Sequence, residues 1–196
     1  MNPRSALRRR RAPPASAPVA LACALACTLF LSACAPDYNW REIRPSGEGY
    51  AVMLPGKPAS MSRPINLDGL AVTMAMSGAR VDDQSFTVGM VVLPDAEPAT
   101  REKARAAMRA AMVRNIAGRE TQVAETAVPV HDLAGRTTAT QPAVRVEASG
   151  RIAARPAHLS ALFVARGHRA WQAVVIGPAP DAEHASTFVD SFRLIE

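Results

Sequence analysis

Beyond Cys34 the chain contains no cysteine, and the two earlier ones, Cys23 and Cys27, lie in the amino-terminal segment. A disulfide framework and a cysteine-ligated metal are therefore excluded for residues 35–196, while the redox compartment stays open, because oxidising and reducing surroundings both tolerate such a chain. Lysine is nearly absent too, occurring only at Lys57 and Lys103 beside abundant arginine and alanine, a pattern that reflects coding composition more than selection for guanidinium chemistry. Histidine occurs at His131, His158, His168 and His184, and no pair has the three- or four-residue spacing that sets two ligands on one helix face. There is no GxSxG elbow, no Walker-type loop and no calcium-binding spacing; Gly47-Glu48-Gly49 is too short for a phosphate cradle, and Asp82 and Asp83 are consecutive turn residues that point apart. The expectation is no catalytic residue, no metal site, no cofactor and no enzyme.

What is present is concentrated at the start. Arg4 and Arg8 to Arg11 precede an uncharged run from Ala15, with an apolar middle from Val19 to Leu31 and small residues after it, the three parts of an export signal. An uncleaved membrane helix is the competing reading, since a span needs roughly 20 residues. Pro18 and the Ala, Ser and Thr content weaken it, because permanent spans carry more Leu, Ile and Phe. The run ends in Leu31-Ser32-Ala33-Cys34, which resembles the lipobox of bacterial lipoproteins. That resemblance implies diacylglyceryl transfer to the Cys34 thiol and cleavage between Ala33 and Cys34. Ala24-Leu25-Ala26-Cys27 fits less well, because it shortens the apolar stretch and lacks the large aliphatic residue three before the cysteine. Ala35, rather than Asp, after the cysteine resembles the sorting signal for the outer membrane in Gram-negative bacteria.

The signal also carries the apparent basicity. The whole chain has a formal charge of +6, but five of its 23 Lys plus Arg precede Cys34, leaving 18 against all 17 Asp plus Glu. A domain so nearly neutral lacks the positive field that nucleic-acid binding requires, so no nucleic-acid partner is expected.

The boundaries read as signal peptide 1–33, lipidated tether 34–39 and a single domain 40–196, close to the usual domain size. Tyr50, Val52 and Leu54 alternate with Ala51 and Met53 before the stop Pro55-Gly56-Lys57-Pro58. Leu70 to Met76 and Phe86 to Val92 alternate on either side of Asp82-Asp83-Gln84 and predict a hairpin with one apolar face. Thr100 can cap a helix running to about Gly118, with Ala104, Ala107, Met108, Ala111 and Met112 inward and Arg101, Arg105 and Arg109 outward, the candidate surface for an envelope protein partner or for lipid headgroups. Weaker strands follow near Thr121 to Val128 and Ala143 to Ala148. A hairpin from Ala157 to Ile176 then turns at Gly167-His168, with Leu162, Val164, Trp171 and Ala173 on one face. Asp181 can cap a short last helix carrying Ala185 and Phe188 inward, with Phe192 after them. The methionines fall on core faces, and Tyr38 and Trp40 suit either a membrane interface or the edge of the sheet.

Together these predict an α+β fold, a single antiparallel sheet of about six to seven strands packed with one long and one short helix. The stretches Tyr50-Ala51-Val52-Met53-Leu54-Pro55-Gly56-Lys57-Pro58 and Phe188-Val189-Asp190-Ser191-Phe192-Arg193-Leu194 resemble the PsbP-like fold. That resemblance implies a binding or assembly role and carries no catalytic residue over. The expected protein is a lipoprotein of the cell envelope, facing the periplasm, more at home in the outer than the inner membrane, and joined to it through Cys34. A periplasmic hydrolase with a site formed only on folding is the alternative.

Overall fold

The computed structural model describes residues 38–179 and 181–196. Leu31 to Cys34, where the sequence resembles a lipobox, and the whole expected signal peptide lie outside the described residues. Ten strands form one sheet in the order β1-β2-β10-β6-β7-β8-β9-β5-β4-β3. They run β1 Arg41–Ile43, β2 Tyr50–Leu54, β3 Ala59–Leu67, β4 Leu70–Val81, β5 Gln84–Val92, β6 Arg119–His131, β7 Thr137–Ile152, β8 Arg155–Arg166, β9 Arg169–Gly177 and β10 Arg193–Ile195. Helix α1, Pro98–Asn115, joins β5 to β6, and α2, Ala182–Ser191, joins β9 to β10. Among the described residues no helix is long and apolar enough to cross a membrane.

The expected antiparallel sheet of six to seven strands is thereby corrected: the described residues are 58% strand and form a curled, mixed half-barrel of ten strands with two helices. Three strands escaped the sequence reading, each for its own reason. β3 is exposed along nearly its whole length and contains Pro64, so it has no apolar period. It forms because Asp68 and Gly69, both at positive φ (51° and 90°), make the tight turn that folds it onto β4 from Leu67↔Leu70 to Ala59↔Gly78. β1 and β10 have three residues each, too few for a pattern. β10 pairs antiparallel with β2 and parallel with β6, through Leu194↔Val130, and this one parallel pairing makes the sheet mixed.

The β4–β5 hairpin also differs from expectation. Its register begins Val81↔Gln84, so even-numbered β4 positions oppose odd-numbered β5 positions, as in Met74↔Val91 and Met76↔Gly89. The Met74 set and the Phe86, Val88, Met90 set therefore lie on opposite faces, and each feeds a different core. An apolar face on either side is what a sheet covered by a helix on each face needs. The β8–β9 hairpin has the expected register, with Val164↔Trp171 and Ser160↔Val175. Gly167 is at φ 54° and His168 is not at positive φ, as a type II′ turn requires.

The first core gathers Tyr50, Phe86, Phe188, Phe192 and Trp171 beneath α2. The second gathers Ala148, Ala157, Ala161, Phe163 and Ala165 beneath α1, whose Ala104 and Met108 are buried. The start of α1 differs from the expected cap at Thr100: Glu97 is the N-cap, without a side-chain bond, because Pro98 presets the first helical φ. α2 begins at Asp181, whose Oδ1 accepts from the backbone N–H groups of Glu183 (2.8 Å) and His184 (3.2 Å). Both cores and all ten strands of the described residues lie within Asp37–Glu196, a self-contained compact unit.

Candidate functional site

The α1 arginines are the surface that the sequence offers to a partner, and their four-residue spacing does put them on one side of the helix. All three are half-buried and engaged within the domain. Arg101 Nη1 donates to the Ala96 carbonyl at 2.7 Å, and Arg105 Nη2 lies 2.6 Å from Glu102 Oε2. Arg109 donates through Nε and Nη2 to both Glu120 oxygens, at 2.6 and 2.5 Å, in a two-pronged pair between the helix and β6. That bond raises the Arg109 pKa and holds the Glu120 carboxyl below the usual carboxylate range. A shallow cavity of about 310 Å³ sits here, lined by Glu102, Arg105, Arg109, Glu120 and Glu125 among others. Its two cations face three carboxylates, so an acidic partner would have to displace an internal carboxylate to reach Arg109. Glu120 was invisible to a search for basic faces, because it meets Arg109 only through the β6–α1 packing.

The histidines stay apart. His168 occupies the β8–β9 turn and His158 pairs with Gly177 at the opposite end of that hairpin. On the α2 face, Ser149 Oγ lies 3.3 Å from His158 Nδ1, and on the neighbouring pair of β7 and β8 residues Ser160 Oγ donates to Glu147 at 2.7 Å. These are two cross-strand hydroxyl pairs rather than one relay. His131 Nε2 meets Thr137 Oγ1 at 3.1 Å, and His184 Nδ1 is 4.0 Å from Asp181 Oδ1. Among the described residues no cluster of three or more His, Cys, Asp or Glu could hold a metal ion.

The entry of the chain into the fold is more specific. The Tyr38 ring stacks on the His184 imidazole with centroids 3.7 Å apart, and on Trp40 at 5.9 Å. Both Tyr38 and Trp40 stand edge-on to Phe86, at 6.2 and 5.8 Å, and Phe86 in turn stands edge-on to Phe188 of α2. Asn39 N–H donates to the Pro55 carbonyl at 2.9 Å. Of the two places open to Tyr38 and Trp40, both occupy the packed one, against the α2 core. Tyr38 and Asn39, counted with the tether in the sequence, are thus bound to the domain. Offset and edge-on ring pairs each add about 0.5–1.5 kcal/mol beyond area burial, so the start of the fold is firmly fixed.

No protein-family model matches this chain, and no curated protein matches it. Among solved structures, it is similar to the protein of unknown function PA94 from Pseudomonas aeruginosa, at 14% identity over 74% of this chain and 88% of that one, with a TM-score of 0.36. A likeness at that score carries no argument about function.

Proposed function

We propose that this protein is a lipid-anchored module of the cell envelope, facing the periplasm, whose domain binds a partner or ligand rather than catalysing a reaction. The observation that carries the reading is Leu31-Ser32-Ala33-Cys34 followed so soon by folded chain: only three residues separate Cys34 from Tyr38, the first described residue. Four residue steps reach at most about 14 Å when extended. A diacylated and further acylated Cys34 would hold such a domain close to the bilayer, and two or more chains make attachment durable where one gives only marginal binding. Ala35 favours the outer membrane as the destination, and the PsbP-like resemblance favours a binding or assembly role.

The test is metabolic labelling with an alkyne fatty acid in a Gram-negative host, with mass spectrometry of the mature amino terminus. The expected result is label on Cys34 as the first residue, and loss of label and of membrane fractionation in Cys34→Ala. An unlabelled chain cleaved elsewhere, or a wild-type chain retained with residues 1–33 attached, would overturn the anchor.

A further inference from the structure

Helix α1 covers its face of the sheet incompletely. It lies mainly over β8 and β9. At the end of that face where β4 turns into β5 and β7 into β8, a groove of about 380 Å³ stays open. This is within the roughly 300–1,000 Å³ of small-molecule sites. Its floor is apolar, formed by Ile176 and Ala157, and Ile152 stands at its side with 46% of its surface exposed. Ile152 and this floor together make one apolar strip along the groove.

The rim is charged, and unevenly. Arg80 and Arg155 face the groove from β4 and β8 with one carboxylate, Asp83, between them. Asp83 Oδ1 is 3.9 Å from Arg80 and Oδ2 is 3.4 Å from Arg155, long contacts between side chains that are 61–68% exposed. One loosely held carboxylate shared by two guanidiniums leaves a formal charge of +1 at the rim. This is unlike the α1 cavity, where carboxylates outnumber arginines and the Arg109 pair is short.

The turn that forms one lip of the groove is a two-residue hairpin loop. Ala153 and Ala154 both have positive φ (48° and 67°) without being glycine or asparagine. Each L-residue in that region costs roughly 1–2 kcal/mol. A type I′ hairpin turn takes positive φ at both central residues, and the hairpin imposes that conformation on alanine here. It sets Ile152 and Arg155, the residues on either side of the turn, opposite each other across the hairpin.

We propose that this groove binds a single-chain amphiphile with an anionic head, its carboxylate or phosphate bridging Arg80 and Arg155 and its alkyl chain lying on Ile152, Ala157 and Ile176. A bare inorganic anion would leave the apolar floor wet, and a neutral apolar ligand would leave the excess guanidinium unused; only a molecule carrying both parts matches both halves of the site. The proposal rests on reading the domain as a binding module and not on lipid at Cys34. Its test therefore uses the unlipidated unit Asp37–Glu196, so that the two ideas fail separately.

The experiment titrates that unit with dodecyl phosphate and with dodecanoate below their micelle concentrations, following backbone amide shifts by ¹H–¹⁵N NMR. Dodecanol and inorganic phosphate serve as half-ligands. Saturable shifts centred on Ser85, Ile152, Arg155 and Ile176 are expected. Affinity should fall at least tenfold in Arg80→Gln with Arg155→Gln, fall similarly in Ile152→Ser, and stay unchanged in Arg136→Gln, an exposed arginine of the β6–β7 turn. Tighter binding of dodecyl phosphate points to a lysophospholipid source and tighter binding of dodecanoate to a free fatty acid. Equal binding by the double arginine variant, equal binding of dodecanol, or shifts centred elsewhere would overturn the proposal. The substituted side chains are exposed, and amide spectra of the free variants establish that each is folded.

Discussion

The two faces of the sheet bury their apolar surface with different materials. Beneath α2 the core is built from rings: Tyr50, Phe86, Trp171, Phe188 and Phe192, with Tyr38 and Trp40 packed at its margin. Beneath α1 only Phe163 is aromatic, and the sheet presents Ala148, Ala157, Ala161, Ala165 and Ala170. Small side chains let a helix approach closely but fill little volume. The α2 face is therefore packed with bulk at its centre, out to the point where the chain enters the fold, while cavities of about 360 and 390 Å³ lie at its margins beside Ser160 and beside Trp171. The α1 face depends on intimate contact and is left open where the helix does not reach.

If bulk closes one face and proximity the other, different substitutions should undo them. Phe188 is fully buried, and Phe188→Ala should cost about 3–5 kcal/mol, the largest effect expected, read from urea unfolding midpoints. Tyr38 and Trp40 should also lose protection with it, visible as increased fluorescence quenching of Trp40. On the α1 face the sensitive residue is a glycine. A Cβ at Gly150 would stand 2.2 Å from the Ile116 carbonyl oxygen, the group that accepts the Arg151 N–H at the end of α1. Gly150→Ala should force the helix end off β7 and cost about 1–3 kcal/mol as overpacking. Amide exchange should rise in the last turn of α1 and not in α2. Equal exchange in both helices would break the comparison.

Individual turns and caps were legible in the sequence, the contrast between the two faces was not, and the illegible part has a common cause. The β8–β9 register follows from one glycine turn, and the Asp181 cap from one side chain, so local chemistry sufficed for both. The length of β3 depends on the Asp68-Gly69 turn and on β4 beside it, and β10 on a parallel partner more than 60 residues away, so neither leaves a periodic trace. The β4–β5 hairpin misled because alternation shows that one face of a strand is apolar and not which face its neighbour shares; the register supplies that. At the candidate sites, the α1 arginines were legible but Glu120 was not. The groove arises where the β4–β5 and β7–β8 turns and the end of β9 meet at one end of the sheet, a meeting that no local pattern in the sequence records.

The strained turn sharpens the comparison from the other direction. Ala153→Asn with Ala154→Gly places the residues a type I′ turn favours at the two positive-φ positions, and should stabilise the domain by about 1 kcal/mol. Thermal unfolding would show a higher midpoint. Because Ile152 and Arg155 keep their places, dodecyl phosphate should bind as in the parent chain.

The smallest expected effect lies inside the bulky face, where polar groups are least at home. Glu48 Oε2 and Tyr50 Oη are buried without a well-formed hydrogen bond. The Glu48 carbonyl accepts from Trp171 Nε1 at 2.9 Å, which fixes the residue at the rim of the aromatic core. Burial pushes the Glu48 carboxyl above its ordinary range, against a smaller lowering by the Tyr50 hydroxyl. The folded state therefore prefers the protonated acid. Its contribution is fully present below the unfolded pKa of about 4.3 and is lost as pH rises through the raised folded value. Glu48→Gln keeps the shape and removes the charge, so it should raise the urea midpoint at pH 8 and leave it nearly unchanged at pH 4. Glu120 runs the opposite way on the α1 side: its carboxyl is held low by Arg109, so its contribution is present at neutral pH and lost as pH falls through the depressed folded value. Glu120→Gln should therefore lower the midpoint at pH 8 by an amount that shrinks toward acid, as befits a pair about one-third exposed and worth roughly 0–1 kcal/mol. Acid should thus favour the α2 face and weaken the α1 face, and measuring both variants across pH 4 to 8 would show whether the two sides of one sheet respond with opposite sign.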